Sequence, residues 1–159
     1  MDREPIAARL LDRMQLEVTD ATPARAITIA DIAVGDAVTQ RVVFDADKRE
    51  AFARLANDRA PVHNDPRFAR ETGFDAPIIQ GLAVAARFSR LIGMYLPGEH
   101  AILEKVELKY RRPVYADREV LYSCRVDRIL RPQRVVVLAL VVSVDGTDHV
   151  TGRCQCLIR

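Results

Sequence analysis

Residues 52–81 read FARLANDRAPVHNDPRFARETGFDAPIIQG, from Phe52 to Gly81. An apolar helical run through Ala51, Phe52, Leu55 and Ala56 ends at Asn57-Asp58. A tight segment with Pro61 and His63 follows, and then Asp65-Pro66. That pair is a strong helix start, because aspartate accepts the free N–H groups of a first turn and proline fits there. Gly73 closes the short helix as a C-cap, and Pro77 leads through Gln80-Gly81 into a long apolar helix. A carboxylate and an imidazole, Asp58 and His63, are therefore expected on a loop pinned between helices, with Gly81 at the mouth of a buried one. The layout suits proton transfer beside an oxyanion. Imidazole titrates near neutrality. A glycine lets a ligand approach its N–H closely, and a helix N-terminus favours developing negative charge.

Downstream, Ile78, Ile79, Leu82, Val84, Ala85, Phe88, Leu91, Ile92, Tyr95 and Leu96 cover nearly every side of the long helix, which is expected to be enclosed, and Pro97-Gly98 stops it. The rest reads as strands. Val106, Leu108 and Tyr110 alternate with charged residues, as do Val120, Tyr122, Cys124 and Val126 with their neighbours. Arg131-Pro132-Gln133 is a turn. Val135 to Val144 is a continuous β-rich run suited to a central strand, Asp145-Gly146 signals a hairpin, and Val150 to Ile158 returns.

Upstream, Ala37 to Phe44 reads as a strand, and Asp47 with Glu50 three positions on reads as a capping box for the helix that follows. Ile27 to Ile32 is a short strand or a turn. Residues 3–16 have helical spacing, with Ile6, Leu10, Leu11 and Met14 on one face, and 19–26 reads as linker. Residues 1–26 are thus an N-terminal helical extension laid across the domain or a partner subunit, and 27–159 the main domain. One long helix followed by an antiparallel sheet able to wrap it is an α+β layout. Its open strand edges make a homodimer the expected assembly.

The chain has 159 residues, about one domain, and a net charge of +2, so nothing global draws it to nucleic acid or membrane. The stretch Ile78 to Leu96 is interrupted by Gln80, Arg87, Ser89 and Arg90, which suits a soluble helix rather than a membrane span. The N-terminus lacks a basic region followed by an apolar run, so no secretory signal is read. Cys124, Cys154 and Cys156 are expected to be reduced, semi-buried packing residues of a cytoplasmic protein, and no ligand spacing for a metal is present. His100 and His149 read as exposed.

The text AFARLANDRAPVHND followed by GFDAPIIQGL resembles the motif A-x-L-S-x-D-x-N-P-[IL]-H-x-D, then G-F-x-x-P-I-x-H-G-M, of the MaoC-like, hot-dog-fold family of (R)-specific enoyl-CoA hydratases. KYRRPVYADREV is similar to the later F-x-x-P-V-x-x-G-D-x-V strand motif, and the resemblance covers about residues 30–159. It implies a hot-dog fold, a long central helix wrapped by a curved antiparallel sheet. It implies that Asp58 and His63 are the catalytic pair, that the Gly81 N–H binds the thioester oxygen, and that Gln80 and Ser89, the latter falling where the family often has a serine in the same helix, help to bind substrate there. Gln80 stands where the family has histidine, and can hydrogen-bond but not carry a proton. Ala60 replaces an asparagine and Ala116 a glycine.

The implied activity is reversible addition of water to an α,β-unsaturated thioester of coenzyme A or a carrier protein, with no cofactor. Which of Asp58 and His63 returns the proton is left open by the residues. A hot-dog thioesterase and a non-catalytic acyl-binding subunit are the competing functions. Arg87, Arg90, Arg111 and Arg112 are candidates to meet coenzyme A phosphates, or are ordinary surface or interface charges.

Overall fold

Period-two apolar patterning builds most of this molecule. The computed structural model describes residues 13–159. Its strands are β1 (Gln15–Val18), β2 (Ala37–Val43), β3 (Ala101–Tyr110), β4 (Glu119–Leu130), β5 (Val135–Val144) and β6 (Thr147–Ile158). Its helices are α1 (Ala46–Ala56), α2 (Pro61–Asn64), α3 (Pro66–Glu71) and α4 (Gly81–Met94). The strands form one sheet in the order β1-β2-β4-β5-β6-β3, antiparallel except for the β1–β2 pair.

The inward residues of β4, namely Val120, Tyr122, Cys124 and Val126, are fully buried. Val136, Leu138, Leu140 and Val142 of β5 and Val150, Cys154 and Cys156 of β6 continue the same surface. Helix α4 lays Val84, Phe88, Leu91 and Ile92 on it. Phe88 meets Tyr122 edge to face with centroids 5.1 Å apart, and the buried Tyr122 hydroxyl is satisfied by donating to the Val84 carbonyl at 2.9 Å. The hairpin at Asp145-Gly146 has both residues at positive φ, the backbone that matches the twist of the flanking strands.

Several expectations are corrected. Residues 15 and 16, read as the end of a helix, belong to β1, which runs parallel to β2 and puts Val18 in the core. Residues 13 and 14 are described and are not helical, and 3–12 lies outside the described residues. The segment read as linker is bound to the end of α4. Arg90 donates to the carbonyls of Thr19, Asp20 and Thr22, the Tyr95 hydroxyl donates to Thr22 O at 2.7 Å, and Arg25 N–H donates to Met94 O at 2.9 Å. Of the two readings of Ile27 to Ile32 the turn is the one found, closed by Asp31 N–H donating to Thr28 O at 3.0 Å, with Ile27 and Ile32 buried. The cap of α1 is Asp45, which accepts from Lys48 N, so Asp47 falls within the first turn, where its charge suits the helix dipole.

All three cysteines are free and fully buried rather than semi-buried. Helix α4 is not enclosed on every side. Leu82 is 72% exposed, and Ala86 and Ser89 share its open face. Among the described residues no helix is long and apolar enough to cross a membrane.

Candidate active site

The loop between α1 and α4 is built by caps. Asn57 takes a left-handed conformation, φ 51°, which ends α1 and turns the chain so that Asp58 N–H can donate back to Ala53 O at 3.1 Å. Asp58 then folds its own loop: Oδ1 accepts from Ala60 N–H at 3.1 Å, an Asx-type turn. Pro61 opens α2, whose third residue is His63. Asp65 caps α3 by accepting from the N–H groups of Arg67 and Phe68.

His63 is held from the far side of the loop. Its Nδ1 lies 2.7 Å from the carbonyl oxygen of Ile78, and Ile78 N–H donates to Val62 O at 3.2 Å. A carbonyl only accepts, so Nδ1 carries the proton and the lone pair of the neutral ring is on Nε2. That Nε2 faces Asp58 Oδ2 at 3.9 Å, with the His63 side chain 15% exposed and that of Asp58 36%. The gap is too long for a direct hydrogen bond and suits one water held by both groups. The structure thus brings the Asp58 and His63 side chains next to each other.

Gly81 is the first residue of α4. Its N–H has no carbonyl one turn earlier to donate to, and none on another element is found among the described residues. Gly81 and His63 line one cavity of about 370 Å3, mostly apolar, whose other walls include Ile78, Val84, Tyr110 and Val114. His63 also lines a second, polar cavity of about 250 Å3 with Arg49, Glu50, Asn64 and Gln80. Gln80 is 5% exposed and faces this second space, so the Gln80-Gly81 dipeptide straddles the two. Ser89 lies two turns along α4 on its exposed face, and no hydrogen bond joins it to Asp58 or His63 among the described residues.

Tyr110 is the site residue that the sequence reading missed. Ending β3, it donates its hydroxyl to Gly81 O at 2.8 Å, and its ring sits over the glycine. Burial pushes its phenol pKa up, which keeps it a donor. The available signal was its place in alternation with Val106 and Leu108, just before Arg111-Arg112-Pro113. His149, read as exposed, is half-buried, its Nδ1 2.7 Å from Pro113 O.

Residues 19–145 match the family model described as "MaoC like domain". A curated relative, "(R)-specific enoyl-CoA hydratase" of Aeromonas caviae, is 34% identical over 110 residues, which cover 69% of this chain and 82% of that protein. A mitochondrial "3-hydroxyacyl-[acyl-carrier-protein] dehydratase" of Arabidopsis thaliana is 35% identical over 88 residues, 55% of this chain and 52% of that protein, so the match spans about half of the plant relative. Among solved structures, an (R)-hydratase from A. caviae, described as involved in PHA biosynthesis, superposes with a TM-score of 0.77 at 31% identity, covering 81% of this chain and 98% of that one.

Proposed function

We propose that this chain, which belongs to the MaoC-like domain family, reversibly adds water to an α,β-unsaturated acyl thioester, as an (R)-specific enoyl-CoA hydratase and 3-hydroxyacyl thioester dehydratase. The observation that carries the reading is the 3.9 Å separation of His63 Nε2 and Asp58 Oδ2, with the other imidazole nitrogen committed to Ile78 O.

A water between these two atoms gives its proton to Nε2 as its oxygen bonds to C3. The resulting imidazolium is stabilised by Ile78 O on one side and the Asp58 carboxylate on the other. The electron pair of the C2–C3 double bond moves toward the thioester oxygen, which the Gly81 N–H and the N-terminal end of α4 stabilise. The proton is then returned to C2 by the His63–Asp58 pair, and the thioester bond is never broken. Gln80 supports this from the polar cavity behind His63.

A second copy of the chain covers the open side in this account. The outermost strand β3 exposes Ile102, Leu103, Val106 and Tyr110 near the exposed Leu82 of α4, and among the described residues no strand pairs with its outer backbone edge. A homodimer is the expected mass in solution. Three free, buried thiols fit a reducing compartment, and we place the protein in the cytoplasm.

The test follows crotonyl-CoA with purified protein, measuring loss of enone absorbance and free thiol in parallel. Loss of absorbance with no thiol is expected. Thiol release would instead make the protein a thioesterase, and no change in either would leave an acyl-binding subunit.

A further inference from the structure

Four arginines stood as candidates to meet a phosphate, and the fold separates them. Arg87 and Arg90 are used internally: Arg87 Nη2 donates to Asp20 Oδ1 at 2.7 Å, and Arg90 Nη2 donates to main-chain oxygens of 19–22 and lies 2.8 Å from the Tyr95 hydroxyl. Arg111 and Arg112 stand where β3 ends, directly after Tyr110, on the wall of the same apolar cavity that His63 and Gly81 line.

Both are held from behind. Their N–H groups donate to His149 O at 2.8 and 3.2 Å, and the His149 ring is in turn bonded to Pro113 O. Arg111 Nε donates to Thr151 Oγ1 at 3.0 Å, and Arg112 Nη1 donates to Asp148 O at 3.2 Å. Each guanidinium thus commits one of its five donors to the fold. Among the described residues neither has a carboxylate within 4.0 Å, which other arginines share, but of the arginines only these two line the cavity that His63 and Gly81 border.

Two neighbouring positive forks, oriented but not neutralised, border an apolar space that suits an acyl group. In a pantetheine thioester the acyl end is apolar and the anionic end is phosphate, and the planar guanidinium fork matches phosphate oxygens in pairs. We propose that Arg111 and Arg112 form a phosphate subsite that recognises the phosphorylated pantetheine carrier, independently of the acyl chain. This rests on the thioester-hydration reading above and adds to it the part of the substrate that is held.

The experiment compares crotonyl-CoA, crotonyl-4′-phosphopantetheine and crotonyl-pantetheine as substrates of the full chain and of R111Q/R112Q. For the unaltered protein, KM should rise roughly ten- to a hundredfold when the phosphate is removed, the effect of losing one or two charge-assisted hydrogen bonds. The double variant should show that rise with crotonyl-CoA, in KM rather than kcat, and gain nothing further from removal of the phosphate. R111K/R112K, which keeps both charges, should recover part of it. Rising salt should narrow the difference between the phosphorylated and unphosphorylated substrates.

If crotonyl-4′-phosphopantetheine behaves like crotonyl-CoA, the subsite holds the phosphate shared by coenzyme A and carrier proteins. If only crotonyl-CoA is favoured, it holds a nucleotide phosphate. Equal KM for all three substrates with the unaltered protein overturns the proposal, as does a variant that loses all three equally. Failure to hydrate any of them overturns the underlying hydration reading instead.

Discussion

The Tyr110 hydroxyl donates to the Gly81 carbonyl at 2.8 Å, and its ring lies so close over this glycine that a Cβ there would stand 3.3 Å from two ring carbons. A side chain at this position would press on the ring by a few tenths of an ångström, so the glycine suits its neighbour as well as a ligand. The first turn of α4, whose N–H is assigned to the thioester oxygen, is fixed by a side chain from the end of β3.

G81A should accordingly lower kcat by displacing the amide against the ring. The upper bound is the loss of a whole oxyanion donor, roughly 2.7–4 kcal/mol. Y110L removes the ring and should restore part of the rate in the double variant. Steady-state kinetics of the four proteins check this, with a coupling of roughly 0.5–3 kcal/mol expected for residues in contact. Strict additivity would mean that the ring does not constrain the amide.

Y110F keeps the ring and loses only the hydrogen bond. A stability loss of about 1 kcal/mol is expected in urea unfolding. The drop in activity should fall on kcat, because the substrate's cavity wall is unchanged.

Gly152 tests the closest approach in the sheet. A Cβ on it would run into the carbonyl oxygen of Glu107 and come within 2.9 Å of Leu108 Cδ2, on the strand paired beside it. Since the first obstacle is backbone, G152A should destabilise by about 1–3 kcal/mol, the range for overpacking. Urea denaturation gives the value, and an unchanged midpoint would contradict the β3–β6 register.

Asp20 ties the N-terminal segment to α4. The Arg87 guanidinium beside it, opposed in part by its own burial, holds its carboxyl below the ordinary aspartate value of 3.8. A carboxyl with a lowered folded pKa contributes stability that is present above 3.8 and lost as pH falls through the lowered value. D20N should lower Tm at pH 7 by the equivalent of less than about 1 kcal/mol, because the Asp20 side chain is largely exposed and the pair is screened. The deficit relative to the unaltered protein should begin to shrink as pH falls below 3.8 and should be smaller at pH 3 than at pH 7. Thermal melts at pH 7 and pH 3 measure it.

Most of this architecture was legible because its signals are local. The alternation of Val120, Tyr122, Cys124 and Val126, the Asp65-Pro66 start and the Asp145-Gly146 turn each declare their state within a few residues, and each is found. The loop carrying Asp58 and His63 was legible for the same reason, since caps on either side define it. The hidden parts depend on distant partners. Gln15–Val18 is a short strand whose state is set by pairing with β2, twenty-odd residues away, and helical spacing upstream masked it. The exposure of Leu82 was invisible because composition reports how apolar a helix is, not which of its sides the sheet leaves uncovered. Tyr110 and Gly81 meet across 29 residues, and no local pattern announces such a contact.

The convergence of Asp58 and His63 on one water is tested most directly by kcat for crotonyl-CoA hydration in D58N and H63A, with circular dichroism confirming the fold of each. Both should lose activity by a factor of roughly 10²–10⁴, the range for a general acid–base group, while secondary structure is retained. Turnover by either folded variant at the unaltered rate would contradict the account.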